Sequence, residues 1–272
     1  MKIGVCIKQV PAGTARMDDK TGLLVRSSAE GALNPYDLYA ITAALQAAAG
    51  VAEAGGVEIL AITMGPRSAE RTLREALSLG ATNALLLSDP AFSGADVTAT
   101  SRTLAEALRK YGVPDMLFCG QQTTDGDTAQ VPFALAARLS VPAIGWVKGI
   151  EYFRADGYSV LQELSTGAVQ VRGGYPALFA VGREAVQPRA PNLSRKLAAQ
   201  RIPIMVWGLA DLSPLRAQDY GLMGSPTRVK ALYTPIQTAK TPPLRVEAAT
   251  AASLIREALD QQDDQLSPSG NA

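Results

Sequence analysis

Over the first 140 residues, short continuous apolar runs alternate with longer stretches in which apolar side chains recur every three or four positions. The runs read as buried strands and the periodic stretches as amphipathic helices. Strands are predicted at Lys2–Val10, Val57–Met64, Ala84–Leu87 and Met116–Cys119. Helices are predicted at Asn34–Ala49, Ser68–Leu79, Asp96–Tyr111 and Val131–Leu139. In the first helix Leu38, Ile41 and Leu45 share a face, with alanines between. Ser68 is expected to cap the second helix and Gly80 to end it. The third should turn Val97, Leu104 and Leu108 inward. Strand and helix in alternation, with strands apolar throughout, imply a parallel sheet covered on both faces by right-handed crossovers.

The pattern changes near residue 145. Val147–Tyr152, Tyr158–Glu163 and Ala168–Arg172 alternate apolar with polar, with Gly157 and Gly167 at the turns. This reads as a small antiparallel addition. Ala177–Val181 is one more buried strand, and a Pro- and Arg-rich link then leads to a short helix before Pro203. Beyond Trp207 prolines 214, 226, 235, 242 and 243 interrupt any period, up to a helix at Ala248–Leu259. The expected division is a 1–205 α/β domain and a 206–272 arm lying on another surface.

Composition narrows the chemistry. With 26 basic and 25 acidic residues the net charge is +1, so no global field selects nucleic acid or a membrane surface. No apolar stretch suggests a transmembrane helix, and the first residues lack the features of a signal peptide. The two cysteines, Cys6 and Cys119, read as reduced thiols of a cytoplasmic protein. There is no histidine among the 272 residues, which excludes Ser–His–Asp and Cys–His catalysis and His-based zinc sites. No metal site and no catalytic side chain are expected; a bound cofactor would do the chemistry.

Four turns leave the carboxyl edge of the sheet, where such folds bind ligands. The longest is CGQQTTDGDTAQVPFALAARL, Cys119–Leu139. It runs from a strand through Gly120 and Gly126 into a helix whose free N–H groups and dipole suit phosphate. Thr128 could cap that helix or bond a phosphate, and Gln130 could donate its amide. Asp125 and Asp127 are unsuited to phosphate and could accept from loop amides or ribose. The other turns are Asn34-Pro35-Tyr36-Asp37, Thr63-Met64-Gly65-Pro66 and Cys6-Ile7-Lys8-Gln9. Each taken singly is also ordinary helix initiation or turn chemistry. The P-loop and dinucleotide glycine patterns are absent from the strand-to-helix turns.

Together, CIKQVP, ALNPYDLYAITAAL, TMGP with RTLREALSLGA, CGQQTTDGDTAQVPFALA and QPRAPNLSRKLAAQRIPI resemble the electron-transfer flavoprotein beta-subunit family over residues 1–205. The resemblance implies a Rossmann-like, adenine-nucleotide-hydrolase-like fold. It implies a heterodimer with a FAD-carrying alpha subunit, which the arm would wrap. It also implies an adenine nucleotide held here. Cys6 and Lys8 would line the pocket, with Asn34 and Asp37 at its rim. Thr63, Met64 and Gly65 would face the adenosine. Gly120, Asp125, Gly126, Asp127, Thr128, Ala129, Gln130 and Val131 would wrap phosphates and ribose. AMP-type members tend to carry Asn-Gln-Thr where this chain has Ala129-Gln130-Val131. The run DGDTAQV resembles instead the bifurcating subtype, which holds a second FAD and takes hydride from NADH. Pro132 stands where similar bifurcating sequences have Gly. Ala190, Pro191, Asn192 and Leu193 fall on the partner-recognition loop for a dehydrogenase or quinone reductase, but Ala190 replaces its docking leucine. The rival readings are AMP as a structural ligand, a stress-protein-like nucleotide module that self-associates, and an ATP-splitting ligase. The last wants a glycine-rich loop where Gln9-Val10-Pro11-Ala12-Gly13 stands.

Overall fold

Strand residues point alternately to two apolar layers, and this alternation organises the chain. Ile3 and Val5, Ile59 and Ala61, Met116 and Phe118, and Phe179 pack into one layer, while Leu60 and Ile62, Leu85 and Leu87, Leu117 and Leu178 pack into the other. In the computed structural model, which describes residues 1–12, 31–52, 56–188, 190–212, 216–230 and 244–266, the elements of the first unit, Met1–Leu232, follow in this order. They are β1 (Lys2–Cys6), β2 (Gln9–Pro11), β3 (Gly31–Leu33), α1 (Pro35–Val51), β4 (Glu58–Met64), α2 (Glu70–Leu79), β5 (Asn83–Leu87), α3 (Val97–Tyr111), β6 (Met116–Gly120) and α4 (Val131–Leu139). Then come β7 (Ala143–Arg154), β8 (Gly157–Leu164), β9 (Gly167–Gly173), β10 (Ala177–Val181), α5 (Leu193–Ala199) and β11 (Ile204–Trp207). The second unit, Tyr233–Ala272, carries α6 (Ala248–Leu266).

One nine-stranded sheet has the order β11-β5-β4-β1-β6-β10-β7-β8-β9. It is parallel from β11 to β7, and β7, β8 and β9 continue it antiparallel. The doubly wound sheet with a small antiparallel addition is thus present. From β1 the chain winds outward to β4 and β5, then returns to place β6 on β1's other side. The crossovers therefore reverse between β1 and β6, where Cys6 pairs with Cys119. Side chains of α1, α2 and α5 enter one layer; those of α3 and α4 enter the other.

Several local expectations change. β1 stops at Cys6 because the Lys8 N–H turns aside to the Asp37 Oδ2 at 2.7 Å; Gln9–Pro11 then pairs antiparallel with β3. The buried face of α1 is its alanine stripe, Ala40, Ala43, Ala44 and Ala47 with Ile41, while Leu38 and Leu45 are half-buried. Small side chains let that helix lie close on β1 and β6. Ser68 does not cap α2. A 3₁₀ turn at Arg67–Ala69 precedes the helix, and the Ser68 hydroxyl donates to Gln9 Oε1 at 3.2 Å. Val97 is half-buried and Asp96 caps α3 by accepting from the Ala99 N–H at 3.0 Å.

The expected boundary at 205 falls inside β11, an edge strand on β5 that was not predicted. Beyond it, Leu212 and Tyr220 are buried in the α3–α4 layer. The Tyr220 ring lies 5.5 Å from Phe92, and Arg102 donates to the Asp219 carbonyl at 2.6 Å. The first unit therefore runs on to Leu232, and α6 extends to Leu266, past the expected end at Leu259. Gly13, Pro214, Leu232, Pro235, Pro242 and Pro243 lie outside the described residues. Among the described residues no helix is long and apolar enough to cross a membrane.

Candidate functional site

The carboxyl ends of β1 and β6 meet at the switch point, where a doubly wound sheet usually binds its ligand in a crevice. Its floor is a buried polar cluster. Asn34 precedes α1, yet its side chain makes no cap bond. Instead its amide donates to Asp37 Oδ1 and to the Gln122 carbonyl, each at 2.9 Å, and its Oδ1 accepts from the Thr124 N–H at 3.4 Å. Asn34 is 0% exposed and Asp37 3%. Both were expected at a rim; the structure buries them beneath it. Burial pushes the Asp37 carboxyl up to about 7, against hydrogen bonds from Asn34, Lys8 and Gly120 that pull it down. Gly120 is required here by space. A Cβ on it would stand 2.4 Å from Asp37 Oδ1 and 2.9 Å from the Tyr36 carbonyl carbon.

The lip is loop 121–130, exposed from Thr124 to Thr128. Lys8 reaches across to it, its Nζ 2.7 Å from both oxygens of Asp125. Asp125 also accepts from the Gly126 N–H at 2.7 Å. Partial burial raises its carboxyl, but Lys8 outweighs this and holds it below the usual range. Gly126 is not among the loop's left-handed residues. The left-handed positions are Asp127 (φ 46°) and Ala129 (φ 53°), and a Cβ on Gly126 would meet nothing within 4 Å. These left-handed residues delay α4 to Val131, with Gln130 at the cap position, so Thr128 does not cap it. Pro132 sits in the first turn. The free donors at that helix start are thus the N–H groups of Val131 and Phe133.

The third turn is mostly closed. The Gly65 N–H donates to the Leu87 carbonyl at 3.0 Å, so it has no free donor for an adenine. Thr63 is 1% exposed, and its buried hydroxyl has no partner among the described residues. Met64 is half-buried at the crevice wall. Cys6 is half-buried and Cys119 buried; a hydrogen bond with Cys6, then burial, push the Cys119 thiol far up, so it is inert as a nucleophile. Phosphate could be held by Lys8 and by the backbone amides between Gly126 and Phe133. Adenosine could be held by the half-buried Cys6 and Met64.

One strand further along the same edge lies a cavity of about 200 Å³. Tyr36, Gln121, Gln122, Trp146, Lys148 and Arg183 are among its lining residues. Gln122 donates to the Tyr36 hydroxyl at 3.1 Å, and the Arg183 guanidinium lies 5.7 Å from the Tyr36 ring centre. Trp146 has a positive φ of 52°. Tyr36, Gln121 and Gln122 lie within the quoted motifs, but Trp146 and Arg183 carried no sequence signal: only the β10–β7 pairing brings them to this edge.

The model of the electron transfer flavoprotein domain matches residues 21–212. The chain belongs to the electron transfer flavoprotein family as a beta subunit. It is 32% identical to the electron transfer flavoprotein subunit beta of Megasphaera elsdenii, covering 96% of this chain and 97% of that one. It is 37% identical to protein FixA of Azorhizobium caulinodans, covering 96% and 95%. It is also 37% identical to CarD, a subunit of the caffeyl-CoA reductase-Etf complex of Acetobacterium woodii, covering 86% and 88%. An electron transfer flavoprotein beta subunit needs a nucleotide site, and the crevice has suitable donors. The segment expected to form a partner-recognition loop is Ala190, Pro191, Asn192 and Leu193. Asn192 caps α5 by accepting from the Arg195 N–H at 2.9 Å, and Leu193 is 71% exposed, with Leu197 one turn on also exposed.

Proposed function

We propose that this beta subunit binds a whole FAD in the crevice and that, paired with an alpha subunit, it passes on electrons received from NADH. The observation that carries the reading is the length of the binding edge. The lip around Lys8 and residues 125–131 suits a phosphorylated adenosine. The Tyr36–Trp146–Arg183 cavity extends the same rim, giving room for the second half of a dinucleotide. AMP would occupy the first part alone. A bound FAD would supply the redox chemistry, hydride acceptance and single-electron transfer. The chain supplies position. Lys8 and the free N–H groups of Val131 and Phe133 would neutralise and orient the pyrophosphate. The Trp146 and Tyr36 rings offer faces for a planar group.

The relatives' names support a partner subunit, and CarD's name supports a reductase beyond it. Leu193 and Leu197 on α5 are the proposed contact for that second protein, in place of the leucine missing at 190. The exposed Leu254, Ile255 and Leu259 of α6 are the proposed contact for the alpha subunit. Such a protein works in the cytoplasm. The test is to purify the chain with its partner and count cofactors. Two FAD per heterodimer are expected; one FAD and one AMP would overturn the bifurcating reading in favour of structural AMP.

A further inference from the structure

Asp37 is a buried carboxyl, 3% exposed, to which the chain leaving β1, the start of α1 and the end of β6 are tied. Its Oδ2 accepts from the Lys8 N–H, its Oδ1 from the Asn34 amide, and Gly120 adds a backbone bond. Through Asn34 it holds the Gln122 carbonyl and the Thr124 N–H. Through the turn at Lys8 it aims the ammonium that grips Asp125. The partners are all donors. A carboxylate satisfies them; a carboxylic acid would set its own hydrogen against one of them.

We propose that Asp37 is the positioning residue of the nucleotide site, and that loop 121–130 is held in its gripping form only while this carboxyl is ionised. Affinity for a dinucleotide then falls on acidification, and binding expels a proton. This rests on the nucleotide reading above.

The groups facing Asp37 are few. Lys8 comes from the β1–β2 turn, with Asp125 behind it. Cys6 comes from β1 and Cys119 from β6, the latter held neutral. Arg183 stands over the neighbouring Tyr36. Burial brings the Asp37 titration to about 7, within reach of ordinary conditions. The chain has no histidine to titrate there instead. The terminal amine bonds the Gly56 carbonyl at 3.2 Å at the amino end of the sheet, away from the crevice.

The test uses the full chain with its partner subunit, and FAD as the probe, because its pyrophosphate does not titrate near neutrality. The dissociation constant is measured by calorimetry from about pH 8 to about pH 6, in two buffers of different ionisation heat. Wild type should weaken by up to about tenfold per pH unit on the acid side and release up to one proton on binding. Asp37→Asn sets an amide N–H against one of the donors, so it should bind weakly with no pH dependence and no proton release. A flat wild-type profile, or an unchanged slope in Asp37→Asn, overturns the proposal. Should that variant fail to fold, wild type decides alone by infrared spectroscopy. A protonated-carboxyl band near pH 6 that vanishes on adding FAD is expected; its persistence with FAD, or its absence without, overturns the proposal. Loss of FAD binding at every pH would instead remove the nucleotide reading itself.

Discussion

The floor and the lip of the crevice each carry an aspartate, and the two obey opposite rules. Asp37 on the floor is buried, bonded by Asn34, Lys8 and Gly120, and pushed up by desolvation. Asp125 on the lip is only partly buried, paired with Lys8, and held low by it. The floor has a single well-packed arrangement, in which even a methyl on Gly120 would clash. The lip has open space around Gly126 and keeps two non-glycine residues left-handed. The proposed binding chemistry thus sits on an exposed loop with two left-handed residues, and buried polar groups beneath it set its shape. This is the arrangement expected where a site is held ready before its ligand arrives.

The comparison breaks most easily through pH. Asp37 has a folded pKa above its unfolded value, so the folded state binds its proton more tightly. Stability it contributes is complete below pH 4 and is lost as pH rises toward 7. Taken at face value, the shift from 3.8 to about 7 is worth on the order of 4 kcal/mol. Chemical denaturation of wild type and Asp37→Asn across that range should show the difference narrowing by this order as pH rises; parallel curves would show that Asp37 is ionised throughout. Ionisation would then cost stability while serving the grip, a trade common at functional sites. The next largest effect is steric. Gly120→Ala forces a Cβ onto Asp37 and the Tyr36 backbone and should cost about 3 kcal/mol, typical of overpacking where the neighbour is main chain. Gly126→Ala, on the lip, should stay within about 0.5 kcal/mol. Equal costs in thermal melts would erase the contrast between floor and lip.

The same contrast explains what the sequence disclosed. Regular elements were legible because apolar period encodes them: the strands at 57–64, 84–87 and 116–119, and helices α1 to α4, lie within a few residues of their predicted places. The edge strand β11 was hidden because Ile204–Trp207 is short and follows a proline-bounded link. The packing of residues 207–227 was hidden because Leu212 and Tyr220 obey no period and find their partners, Phe92 among them, only in three dimensions. At the site, the loop was legible from its glycines and small polar residues, but its backbone was not. Gly126 drew attention while the left-handed residues are Asp127 and Ala129. Asn34-Pro35 reads locally as a helix cap. It became a buried strut only because loop 121–124 arrives from 88 residues away to accept its amide.

The smallest effect is also the one that decides what the lip aspartate does. Lys8 and Asp125 form a solvent-facing ion pair, with the lysine side chain 44% exposed, so breaking it should change stability by less than about 1 kcal/mol. Because the Asp125 carboxyl is depressed, that small contribution is present above pH 4 and lost as pH falls further, the reverse of Asp37. Its effect on binding can have either sign. If Asp125 merely stores the Lys8 ammonium, Asp125→Asn releases that charge to the pyrophosphate, and FAD binds more tightly, with a steeper dependence on salt. If Asp125 accepts a ribose hydroxyl, the same change weakens binding and leaves the salt dependence alone. The Asp125 oxygens already accept from Lys8 and Gly126, which leaves little for a ribose. The expected outcome is therefore tighter binding, read by titrating FAD fluorescence at low and high salt. Weaker binding at both would return Asp125 to the ligand's own contacts and leave the floor alone responsible for shaping the loop.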